Sequence, residues 1–189
     1  MTEQTSRARL LHAAARLFAE LGYDQTTSTL IAGAAGVPVE EIASEFGGRR
    51  ALYLAVYQEA QSHDLQLVSD HMRPGFTRDD YHRLIDDYID SIEGSPYLAA
   101  LWIQRWMNDA TDIRDVEQSY AKPQTERLIP ALAAIARDGV DAELTLLTLV
   151  WTIQMHTVAG SPLGTPGGGP RERARFRAHV HTLVDALFV

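Results

Sequence analysis

Polar side chains embedded in otherwise apolar helical stretches are the first candidates for chemistry in this sequence. Gln104, Arg105 and Asn108 accompany Trp102, Trp106 and Met107, and Gln154 and His156 accompany Trp151 and Met155. The pairs Trp102/Trp106 and Trp151/Met155 are each spaced i, i+4, so each lies on one helical face. An aromatic stripe of this kind is ordinarily core packing. Its polar neighbours, if buried, need hydrogen-bond partners, which other side chains or a bound molecule could supply. His156 could serve as an acid or base if distant residues assembled a reaction site around it. No local catalytic signature accompanies it: the sequence has no phosphate loop, no GxGxxG, no HExxH and no GxSxG. The absence of cysteine excludes disulfides, thiolate nucleophiles and cysteine-ligated metal or iron-sulfur sites. His82 and Asp86, at i, i+4, could share a metal but read more simply as surface residues, while His179 and His181, two apart, point to different sides. On this reading no cofactor, no metal and no catalytic residue is expected.

The elements that must position these residues are all helical. Leu10, Ala14, Leu17, Phe18 and Leu21 mark one face of a helix over 6–21 that Gly22 ends. Thr26, Thr27 and Ser28 offer N-caps for a short helix carrying Leu30, Ile31 and Ala34, and Gly36 supplies a permissive turn. A third helix follows, with Pro38 in its first turn, Ile42 and Phe46 buried, and Gly47-Gly48 as its stop. A long segment then runs to His71 and breaks at Arg73-Pro74-Gly75, which sets the expected divisions at 1–48, 49–73 and 74–189. Beyond it come a helix with Tyr81, Leu84, Ile85, Tyr88, Ile89 and Ile92 on one side, and a central apolar helix over 97–108. Next is a helix over 115–137, kinked or interrupted at Pro123 and Pro130, and then a nearly all-apolar helix over 142–158. The stretch 159–170, AGSPLGTPGGGP, reads as a mobile loop because glycine and proline dominate it. A last helix starts at Pro170 with a stripe of Phe176, Val180, Leu183, Val184 and Leu187. The fold class expected is all-α, about nine helices, with a small N-terminal and a larger C-terminal part.

Residues Gly22–Leu52, GYDQTTSTLIAGAAGVPVEEIASEFGGRRAL, resemble the helix-turn-helix signature of the TetR (tetracycline repressor) family through the framework GY..TT...IA..AGV....I...F..R..L. That resemblance implies a transcriptional regulator whose third helix enters the DNA major groove. It also implies contacts to double-stranded DNA from Thr27, Val39, Glu41 and the cation Arg49. The third helix departs from the usual pattern: Ala43 replaces a tyrosine, Glu45 replaces an aromatic or histidine, and residues 22–48 hold no lysine or arginine. Residues 1–60 carry five arginines (7, 9, 16, 49 and 50) against seven acids, and the whole chain is at −8. Counterion release, the main source of non-specific affinity for DNA, has little to work with there.

The resemblance further implies a cavity in the C-terminal part for a hydrophobic or aromatic small molecule, lined by Trp102, Gln104, Arg105, Trp106, Trp151, Gln154, Met155 and His156. It implies a homodimer as well, with Leu146, Leu149 and Val150 pairing with Phe176, Val180, Leu183, Val184 and Leu187 across a two-fold axis; these could equally close the core of a monomer. Two functions follow: a ligand-responsive repressor, or a small-molecule-binding protein of the same fold that has lost DNA binding, including an enzyme built in the cavity. No membrane span or secretory signal is expected, and a cytoplasmic location is.

Overall fold

The computed structural model describes residues 5–114, 116–160 and 169–189. Nine α-helices stand among them: α1 (Ser6–Leu21), α2 (Ser28–Ala35), α3 (Glu40–Phe46), α4 (Arg49–His71), α5 (Arg78–Gly94), α6 (Pro96–Trp106), α7 (Lys122–Ile135), α8 (Ala142–Ala159) and α9 (Pro170–Leu187). No strand is found among the described residues. A single antiparallel bridge joins Ala136 to Phe188 and pins the C-terminus, with the Val189 amide donating to the Ile135 carbonyl at 2.8 Å. Most of the Gly/Pro-rich stretch expected to be a mobile loop lies outside the described residues.

The helix boundaries follow local chemistry. Thr5, Thr27 and Asp141 each accept a backbone N–H from the first turn of their helices, and Thr77 and Asp80 form a reciprocal capping box at the start of α5. Gly36 and Gly47 take the left-handed conformation that lets α2 and α3 end tightly. The expected interruption near Pro123 is a π-helical turn, Glu117–Ala121, leading directly into α7, which then continues through Pro130. The central helix α6 ends at Trp106, earlier than its apolar pattern suggests, and Asn108 and Ala110 follow with φ of +68° and +53°.

Buried side chains divide the molecule differently from the break at Pro74. One core joins α1 to α3 and the first half of α4 to α6, reaching Leu101, Trp102, Ala110, Ile113 and Val116. The other joins the end of α4 to α5, α7, α8 and α9. A chain of ring contacts runs through the first, from Phe18 and Tyr23 through Tyr53 and Tyr57 to Trp102, with successive centroids 4.8–5.1 Å apart. The Tyr57 hydroxyl donates to the Leu101 carbonyl at 2.9 Å. The small N-terminal part is therefore packed onto the large one rather than tethered to it.

Candidate functional site

The helix-turn-helix is formed by α2 and α3 meeting across Gly36. Ile31, Ala32 and Ile42 are buried beneath it, while Val39, Glu40, Ala43, Ser44 and Glu45 face outward and Glu41 is half-buried. The Thr27 hydroxyl accepts from the Leu30 amide at 3.2 Å, so Thr27 is first of all a cap. Arg49 has internal work: its guanidinium donates to the carbonyls of Tyr23 and Thr26 at 2.6 and 2.7 Å and lies 3.9 Å above the Tyr23 ring. It braces the turn between α1 and α2, which a backbone-gripping cation in the sequence pattern did not foretell. Arg7 likewise donates to the Glu45 carbonyl and stacks on Phe46, whereas Arg9 and Arg50 are exposed.

The same turn is held from the other part of the molecule. Asp109, in the segment after α6, accepts the Tyr23 amide at 2.7 Å and the Asp24 amide at 3.3 Å. Arg105 anchors that segment by donating to the Ala110 carbonyl at 2.5 Å and the Asp109 carbonyl at 3.2 Å, and it forks onto both oxygens of Glu117 at 2.6 and 3.2 Å. The paired guanidinium holds the Glu117 carboxyl below its ordinary range.

Glu117 also lines an open-mouthed cavity of about 300 Å³ between α4, α5, α6, α7 and α8, with the half-exposed Trp106 and Trp151 at its rim. That volume is at the low end for small-molecule sites. Its wall is mostly apolar, with Leu67, Leu84, Ile85, Leu128, Leu149 and Ile153 among the lining residues, and Trp102, Trp106 and Trp151 add aromatic surface. Trp102 and Trp106 stack with centroids 6.4 Å apart, and Trp151 meets Trp106 edge-on at 6.2 Å. Polar atoms interrupt this wall. Gln154 donates to the Tyr88 hydroxyl at 2.6 Å, while the Gln154 Oε1, Gln124 Oε1 and Tyr81 hydroxyl are buried without a partner. Asp64, also in the wall, has its pKa pushed up by burial to about 7.

The family model for bacterial regulatory proteins of the tetR family matches residues 10–56, which is α1 to the first turns of α4. By this match the segment α1 to α4 is similar to the DNA-binding domain of that family. Solved structures extend the likeness to the whole chain. The ketosteroid transcriptional regulator KstR2 of Mycobacterium tuberculosis is 16% identical with a TM-score of 0.77, covering 100% of this chain and 97% of its own. The fatty acid degradation regulator FadR from Bacillus halodurans is 17% identical, with a TM-score of 0.74 over 97% of this chain and 96% of its own. The TetR-family regulator PfmR from Thermus thermophilus is 19% identical, with a TM-score of 0.73 over 96% of each chain. These identities establish the fold, that of TetR-family transcriptional regulators. No curated protein matches by sequence.

Within this TetR-family architecture, the expected site residues separate. Trp102, Trp106, Trp151 and Gln154 line the cavity. Gln104 donates instead toward the Ala19 carbonyl at 3.4 Å, Arg105 anchors the segment after α6, Met155 is 48% exposed, and none of the three lines the cavity. His156 stacks on Phe176 at 3.7 Å and is not among the residues that line the cavity. Of the stripe expected at the dimer interface, Leu146, Leu149, Val180 and Val184 are buried in the protomer's own core, and Val150, Phe176, Leu183 and Leu187 are half-buried against it. What α8 leaves exposed includes Leu144, Met155 and Val158, while Trp151, 49% exposed, stands at the rim of the cavity. His82 and Asp86 do not converge on one point: His82 bonds His181 and Asp185, while Asp86 bonds His181 and Arg177, all between α5 and α9. Asp64, Tyr81, Tyr88, Glu117 and Gln124 were missed. Tyr81 and Tyr88 were legible only as core, and nothing local marks the other three as facing a space between five helices.

Proposed function

We propose that this chain is a dimeric, ligand-responsive DNA-binding repressor whose hold on DNA weakens when the cavity fills. One observation carries the reading: bonded contacts run without a gap from the cavity wall at Glu117, through Arg105 and Asp109, to the turn that supports α2. A ligand that displaced α6 or the π-helical turn would move that turn, and with it the separation of the two third helices in a dimer. Two third helices would meet successive major grooves about 34 Å apart. The second copy would dock on the exposed face of α8 around Leu144, Met155 and Val158, beside the small exposed residues Ala174 and Ala178 of α9. Solved neighbours named as a ketosteroid transcriptional regulator and a fatty acid degradation regulator support an effector with an apolar body.

The composition of α3 favours a second reading, a small-molecule-binding protein of this fold without DNA affinity. Glu40 and Glu45 are exposed where a polyanion would approach, and Arg7 and Arg49 are occupied internally. Fluorescence anisotropy with bulk double-stranded DNA across a salt series separates the two. A regulator binds at low salt, loses affinity steeply as salt rises, and is weakened by Arg50→Ala, which removes an exposed cation at the start of α4 without touching the braced turn. A folded dimer that binds no DNA at low salt supports the second reading and ends the first.

A further inference from the structure

Reading the cavity as a ligand site leaves its headgroup preference to be decided, and the charge pattern of the wall decides it. Two carboxyl groups, Asp64 and Glu117, belong to the lining, and no lysine, arginine or histidine does among the described residues. Glu117 is neutralised by the forked contact from Arg105. Asp64 has no hydrogen bond or ion pair among the described residues, and its charge disfavours ionisation of the Tyr88 hydroxyl. The amide oxygens of Gln124 and Gln154 are buried without donors, and the Tyr81 hydroxyl is the one buried donor of the wall without a partner among the described residues, while Asp64 is half-buried. A buried acceptor without a donor is costly, so the wall calls for an occupant that donates. An incoming carboxylate would bring only further acceptors and a further negative charge, with no cation in the wall to meet it. The faces of Trp102, Trp106 and Trp151 attract positive charge for an independent reason, the ring quadrupole.

We propose that the cavity selects a hydrophobic amine, with an apolar body against the leucine and isoleucine wall and a protonated nitrogen donating to the Asp64 carboxylate. The amide oxygens of Gln124 and Gln154 are further acceptors along the same wall. This inference rests on the cavity being a ligand site at all.

All three tryptophans of the chain line the cavity, so intrinsic fluorescence reads occupancy directly. The full chain and its Asp64→Asn variant are titrated at pH 8 with decylamine, decanol and decanoate, which share one tail and differ in headgroup, each below its aggregation concentration. Decylamine is expected to bind at least tenfold more tightly than decanoate. The variant is expected to keep its affinity for decanol and lose the preference for the amine over the alcohol. Decanoate binding as tightly as decylamine, or an amine preference that survives Asp64→Asn, overturns the headgroup assignment and leaves the ligand site standing. No fluorescence response to any of the three, with circular dichroism showing a folded protein, removes the ligand site and this inference together.

Discussion

Asp64 is the residue whose ionisation most opposes folding. Its pKa is raised by burial to about 7, so the folded state holds a proton that the unfolded chain releases near pH 4. The sign of its contribution follows: that contribution is fully present below the unfolded value, is lost as pH rises from about 4 through about 7, and does not change above that, where the group is ionised in both states. Asp64→Asn abolishes this slope and should be more stable than the parent at pH 8 by about 1–3 kcal/mol, with no advantage at pH 4. Urea denaturation at the two pH values checks it. Asp109 is the second residue with a sharp expectation, because its two oxygens accept the amides of Tyr23 and Asp24. Asp109→Ala leaves those donors without their acceptor and should cost about 1–3 kcal/mol. Gly22 stands against the same carboxyl: its φ is +77°, and a Cβ there would lie 2.9 Å from Asp109 Oδ1. Gly22→Ala should therefore destabilise at least as much as Asp109→Ala, and a double variant that costs the sum of the two singles would show that the contact does not couple them.

Among the elements, α2 depends most on its cap, since it has eight residues and isolated helices so short are marginal. Thr27→Ala removes the hydroxyl that accepts the Leu30 amide and should lower the midpoint of thermal unfolding, at a cost of about 1 kcal/mol. Thr27→Ser should restore it, as capping needs only the hydroxyl. The caps, the glycine stops and the alternation of apolar residues were legible because each depends on neighbours within four positions. The end of α6 was not. Its apolar pattern continues past Trp106, but Asn108 and Ala110 turn left-handed where Arg105 captures the Asp109 and Ala110 carbonyls, a contact visible only after folding. The acidic stretch of α5 shows the same limit. Asp86, which reads from the sequence as a surface residue, pairs with Arg177 of α9, and so does its neighbour Asp90.

At the scale of the whole molecule, the exposed apolar face of α8 sets the expected assembly. Leu144 is 60% and Met155 48% exposed, on a helix that is otherwise apolar nearly all round. Leu144→Glu with Met155→Glu should convert a dimer to a monomer of unchanged helicity in analytical ultracentrifugation, because neither side chain belongs to the protomer core. A monomeric parent would exclude this face as a dimer interface. A substitution in the stripe first chosen, such as Val184→Glu, should instead unfold the protomer, since Val184 is fully buried within it. Among the described residues no helix is long and apolar enough to cross a membrane.

By itself the sequence determined the helical class, the order of the elements and the helix-turn-helix segment with the family signature it resembles, because periodicity, caps and a contiguous signature are local properties. Tertiary structure alone decided which side of each helix is inside. On α8, apolar all round, periodicity carries no information about facing, and Leu146 and Leu149 of the stripe assigned to a partner lie in the protomer's own core. The long polar side chains were decided the same way: Arg105, His156 and Arg49 each reach a partner that no spacing in the sequence specifies. Asp64, unremarkable in a polar stretch of α4, faces a cavity only because four other helices border the space beside it.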